Sequence, residues 1–169
     1  MMRLWFASLA LLALSACGLQ PMYGGGGGAA IAQGLGGVDV PAIPGRGGWL
    51  LRGELQDRLG VAGTTSPRYR LDVRLDDALE ALGVLNDDTI SRERRILRAR
   101  YQLIDLTNGD ILLDATAGSD AGVDVVSSEY ATIAAEQTAL ENLSREVAER
   151  IVTQVSLTLR ALERDKANS

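Results

Sequence analysis

Five arginines stand within nine residues of this chain: Arg92, Arg94, Arg95, Arg98 and Arg100. A guanidinium is a flat fork of donors that matches phosphate or carboxylate, and it keeps its charge at any physiological pH. Four of the five carry even numbers, so a regular strand sends those four to one face. The preceding segment "RYRLDVRLD", residues 68–76, sets Arg68, Arg70, Asp72, Arg74 and Asp76 at even positions too. In these two windows the face holds seven arginines and two aspartates. Ile90, Ile96 and Ile104 share it. A mixed basic and apolar surface suits an amphiphile with anionic head groups. The same residues also describe a solvated outer face of cross-strand Arg–Asp pairs, with charge that discourages aggregation. The sequence leaves both readings open.

Little else offers chemistry. The 169 residues include no histidine, which removes the commonest general base and metal ligand. Serines therefore lack a histidine partner. The acidic pairs Asp76-Asp77 and Asp87-Asp88 fall at turns or irregularities and read as solvated. The five glycines at 24–28 are not followed by Lys-Ser/Thr, so they are no phosphate loop. No ligand set has metal spacing. The expectation is a protein that is not an enzyme and holds no metal or cofactor. Net charge is −5, from 17 basic and 22 acidic residues, which argues against a general nucleic-acid binder. The arginine stripe is then a local basic patch on an acidic body.

The only cysteine, Cys17, ends a greasy N-terminal run. Arg3 supplies a positive start, Leu4 to Leu14 are apolar, and Ser15 and Ala16 are small. Such a run is too short for a stable membrane-spanning helix and has the parts of a secretory signal. Leu14-Ser15-Ala16-Cys17 resembles a bacterial lipobox, which implies cleavage before Cys17, diacylglycerol on its thiol and an acyl chain on its amine. Several acyl chains make a stable anchor. Gly18, rather than aspartate, favours the outer membrane. The organisation expected is a lipoprotein signal peptide at 1–16, a lipidated Gly-rich tether at 17–34, one α+β domain at 35–164 and a tail at 165–169.

The elements that must position the arginines follow from periodicity. Val38 to Ile43 reads as a short strand, with Pro41 marking an edge or a bulge. A helix follows, with Leu51, Leu55 and Leu59 on one face, an i, i+4 pair of Glu54 and Arg58, and Gly60 at its C-terminal stop. Residues 68–76 alternate strictly, with Tyr69, Leu71, Val73 and Leu75 inward, and the strand can run on towards Leu85. After a turn at Asn86-Asp87-Asp88, residues 89–106 return with Leu97, Ala99, Tyr101 and Leu103 inward. Asn108-Gly109 is a strong hairpin signal into a further strand, where Leu113, Ala115, Ala117, Ala121 and Val123 face in and Asp114, Thr116 and Asp120 face out. Ser127-Ser128 offer an N-cap to a long helix, whose Leu140, Leu143, Val147, Ile151, Val155, Leu159 and Leu162 recur every three or four residues. The architecture expected is β-α-β-β-β-α, a two-layer sandwich. Its sheet has about four mostly antiparallel strands, with both helices on one face.

Three segments carry a family resemblance: "LSACGLQPMYG", "ISRERRILRARYQLIDLTNGDIL" and "SSEYATIAAEQTALENLSREVAERIVTQVSLTLR". With the element order, they resemble LptE, the lipopolysaccharide-assembly lipoprotein of Gram-negative outer membranes, in its alphaproteobacterial form. The resemblance implies a two-helix, four-stranded plug inside the outer-membrane β-barrel LptD. It implies help in assembling that barrel and receipt of lipopolysaccharide on its way to the cell surface. It also implies lipopolysaccharide contact by basic residues of the sheet, carried here to Arg92, Arg94, Arg95, Arg98 and Arg100. The long glycine tether departs from the shorter linkers expected of the family. The alternative from the residues alone is an accessory lipoprotein of another envelope transport system, for phospholipid or another solute.

Overall fold

The computed structural model describes residue 35 and residues 37–60, 66–82 and 92–168. The signal peptide at 1–16, Cys17, the tether, the Asn86–Asp88 turn and Ile90 lie outside the described residues. Six elements follow in the expected order: β1 Val38–Asp39, α1 Gly45–Leu59, β2 Tyr69–Ala81, β3 Arg92–Asp105, β4 Ile111–Asp124 and α2 Glu129–Ala167. The sheet runs β1-β2-β3-β4. β1 is parallel to β2, and the other two pairings are antiparallel. The fold is α+β, with the helices packed on each other and on the strands.

Alternation builds the core. Tyr69, Leu71, Leu97, Ala99, Tyr101, Leu103 and Ala117 are buried on the sheet, against Leu51, Leu55 and Leu59 of α1 and Leu140, Leu143, Val147, Ile151, Val155 and Leu159 of α2. Ala139 and Ala148 are also buried, so α2 approaches the strands closely. At 39 residues α2 is about 58 Å long. It outruns the 14-residue strands, which reach about 46 Å. It continues through Asp165 to Ala167, residues read from the sequence as tail.

Three local expectations are revised. The first strand is two residues, not six. Beyond Asp39 the chain leaves the sheet, and Arg52 Nε donates to the Val40 carbonyl at 2.9 Å. Pro41 cannot extend a ladder because it has no N–H. β2 passes the Asp76-Asp77 irregularity unbroken and ends at Ala81. Ser128 occupies the N-cap of α2, but its side chain makes no capping bond. Instead Thr132 Oγ1 donates to the Ser128 carbonyl at 3.4 Å. The stop at Gly60 holds, with φ 68°, a left-handed conformation that glycine adopts without penalty.

The β3–β4 hairpin contains the detail that matters most for the outer face. Gly109, at φ 80°, closes the turn and donates to the Asp105 carbonyl at 2.8 Å. The register opens with Ile104 opposite Ile111, then shifts so that Leu103 faces Leu113. Leu112 is the extra residue of a bulge. Without it, even positions of β3 would face odd positions of β4. With it, even faces even, and Asp114, Asp120 and Asp124 come onto the arginine face while Leu113, Ala115 and Ala117 face the helices.

Candidate functional site

The outer face of the sheet is built on β3, an interior strand. Arg92, Arg94, Arg98 and Arg100 are exposed there, while Leu97, Ala99, Tyr101 and Leu103 alternate into the core. The register places Arg74 opposite Arg100, Asp76 opposite Arg98 and Glu80 opposite Arg94 on β2. On β4 it places Asp124 opposite Arg92, Gly118 opposite Arg98, Thr116 opposite Arg100 and Asp114 opposite Gln102. The seven arginines of the stripe therefore share their face with acids from both neighbouring strands.

Most of the stripe is paired. Arg92 Nε donates to Asp124 Oδ1 at 2.9 Å. Arg94 Nε is 3.8 Å from Asp120 Oδ2. Arg100 donates through Nε and Nη2 to the two oxygens of Asp114 at 3.2 and 3.0 Å, and Gln102 Nε2 adds a third bond at 2.8 Å. These bonds, led by that of Arg100, hold the Asp114 carboxyl below its ordinary pKa. Arg70 Nε lies 3.0 Å from Asp72 Oδ1, an ion pair by distance that is not aligned as a hydrogen bond. Arg68 Nη2 is 3.7 Å from Asp105 Oδ2.

Arg74 and Arg98 are different. Among the described residues neither has an ion-pair partner. Arg74 faces Arg100, and like charges directly opposite repel. The stem of Arg98 lies over Gly118, where a Cβ would come within 3.1 Å of its Cγ. Between Arg74 and Arg100 and the departing chain at Pro41–Ile43 runs a groove, with Gln102 and the acid Asp72, held near Arg70, also in its lining. It exists because β1 stops after two residues and leaves the β2 edge uncovered there. Ile96 and Ile104 occupy even positions of β3 on the same side. The arrangement can hold a multiply charged anion at its guanidiniums and touch an apolar chain beside it.

Arg95 does not belong to this face. It lies towards the helices, donates to both oxygens of Asp77 at 2.9 and 2.8 Å, and sends Nη1 to the Glu136 carbonyl of α2 at 3.3 Å. The Arg95 and Asp77 side chains are 17% and 26% exposed. The hydrogen bond to Asp77 raises the pKa of the guanidinium. Its odd number was the available signal. The residues missed by sequence reasoning were the partners on β4: Asp114 and Asp120 were read as outward, but not as neutralising the arginines. Only the bulge at Leu112 settles that register. Among the described residues no group of histidine, cysteine or acids is placed to hold a metal ion, and no helix is long and apolar enough to cross a membrane.

Residues 35–155 match the family model LptE, described as lipopolysaccharide-assembly. No curated protein matches the sequence. Among solved structures, a Caulobacter crescentus protein described as a lipoprotein is 25% identical, with a TM-score of 0.65, covering 79% of this chain and 97% of its own. Lipoprotein B of Nitrosomonas europaea is 14% identical, with a TM-score of 0.56, covering 75% of this chain and 85% of its own. Rare lipoprotein B of Shewanella oneidensis is 13% identical, with a TM-score of 0.54, covering 75% of this chain and 96% of its own. At those identities the last two are likenesses of fold.

Proposed function

The chain belongs to the LptE lipopolysaccharide-assembly family, and from that premise we propose that it is an outer-membrane lipoprotein that plugs and helps assemble the LptD barrel and receives lipopolysaccharide for delivery to the cell surface. Lipid on Cys17 holds it to the membrane. Its work is binding and assembly, without catalysis.

The observation that carries the ligand reading is that Arg74 and Arg98, beside Arg100 on the open face, form no ion pair among the described residues, although Asp76 stands opposite Arg98. A phosphate brought there relieves the repulsion between Arg74 and Arg100 and accepts forked hydrogen bonds. Ile96 and Ile104 meet the apolar part of an amphiphile on that face. Of the candidates named from the sequence, Arg98 is the best placed. Arg92, Arg94 and Arg100 share their charge with Asp124, Asp120 and Asp114, and Arg95 is committed to Asp77.

Two measurements test this. The lipidated chain, captured from solubilised envelopes, should bring with it a large outer-membrane β-barrel, identified by mass spectrometry. Recovery of inner-membrane transporter components instead would move the chain to the other transport role. Arg74→Glu with Arg98→Glu should weaken lipopolysaccharide binding roughly tenfold or more, since each loses a charge-assisted contact, while the circular dichroism spectrum stays unchanged. Full affinity in that double variant removes the sheet face from the binding site.

A further inference from the structure

We infer that the free edge of β4, with the flank of α2 beside it, is a docking groove for an extended, lysine- or arginine-bearing segment of a partner protein, which adds as a fifth strand. Among the described residues β4 pairs only with β3, so its other edge ends the sheet. Its 14 residues, ILLDATAGSDAGVD, include no proline and no lysine, the residues that usually blunt an exposed edge. The Gly118 carbonyl looks out from this edge, since Arg150 Nη1 donates to it. Backbone groups along a strand alternate in direction, so those of Thr116 and Asp120 face the same way.

α2 runs alongside and leaves a groove between strand and helix, lined by Tyr101, Thr116 and Gly118 on one wall and by Glu146, Glu149 and Thr153 on the other. A strand edge flanked by a helix is a geometry that receives peptides by main-chain pairing, with side chains reading the partner. The charge of the occupant follows from the walls. β4 has no basic residue, and its three aspartates lie on the arginine face, paired there with Arg100, Arg94 and Arg92, so the groove takes its charge from α2. Across the groove, Glu149 has a carboxylate without a partner among the described residues, and Glu146 accepts from Ser119 Oγ at 2.6 Å. Arg150 is the one cation there and is already held at Gly118 and near Glu146. A second copy would bring its own Glu146 and Glu149 to the same edge, so a basic partner segment fits and self-pairing does not. The groove adjoins the arginine face at Thr116 and Gly118, but the inference uses none of the arginines of that face.

The probe is a synthetic nine-residue peptide of alternating threonine and lysine, added to the full chain. Binding should protect the amides of Thr116, Gly118 and Asp120 from hydrogen exchange about tenfold or more, as a new ladder requires. The same peptide N-methylated at alternate residues, or with glutamate for lysine, should not bind. Glu149→Lys should weaken binding about fivefold or more, and the milder Glu149→Gln should weaken it less. The inference is overturned if the lysine peptide gives no protection, if the methylated peptide binds equally, or if both Glu149 variants keep full affinity. Sedimentation that finds the chain pairing with itself through β4 also overturns it.

Discussion

Single residues sort by what stands beside them. Arg95 and Asp77 tie the β2–β3 pair to α2 through two forked bonds and one to the Glu136 carbonyl. Arg95→Leu leaves the Asp77 carboxylate unpaired under the helix, and should cost about 1–3 kcal/mol in urea unfolding. Arg95→Lys should recover only part of this, because an ammonium cannot fork. Asp105 accepts from the Thr107 N–H at 2.8 Å, and that bond, with help from Arg68, lowers its pKa. A lowered carboxyl stabilises the fold above its unfolded value of about 4 and loses that contribution as pH falls through its folded value. The urea midpoint should therefore drop as pH goes from 5 towards 2, and the drop should be smaller in Asp105→Asn. An identical pH profile in that variant would remove Asp105 from the account.

At the scale of elements, α1 shows how glycines at different places in one helix act in opposite directions. A Cβ on Gly48 would sit 2.5 Å from the Ile43 carbonyl oxygen, which is backbone and has nowhere to go. Gly48→Ala should cost about 1–3 kcal/mol through overpacking. Gly53 has open space around its missing side chain. Gly53→Ala should stabilise by about 0.5–1 kcal/mol, since helix propensity is all that changes. Thermal unfolding of both variants checks the pair. A shift of the same sign in both would contradict the way α1 is seated.

Over the described residues the protein is a two-layer domain with one arginine-bearing face and a helix-covered face. An open edge lies on β4. The arginine face and the β4 edge are two surfaces that meet at Thr116 and Gly118, so one chain can touch more than one molecule. The anchoring proposed at Cys17 adds position to contact. A Cys17→Ser chain should leave the membrane fraction and collect in the soluble periplasm, because no acyl chain then holds it. If fractionation leaves that variant in the membrane, another feature does the anchoring.

Much of this was legible without coordinates. Strict alternation at 68–76 and 97–103 decided which residues of β2 and β3 are wet, because a pleated strand has a period of two. The leucines of α1 and the long apolar stripe of α2 marked the covering layer in the same way. Arg95 was named with its neighbours as a contact candidate, and its odd number was the signal not used. What the sequence could not decide was how strands meet. β1 is parallel and two residues long because the chain turns away at Val40, and that opens the groove beside Arg74. The alternation of β4 already turned Asp114 and Asp120 outward, but the bulge at Leu112 sets β4 against β3 and so decides which arginine each of them meets. Periodicity is a property of each strand alone, whereas register is a property of two. For that reason the basic stripe could be read from the sequence, but which of its charges remain unpaired could not.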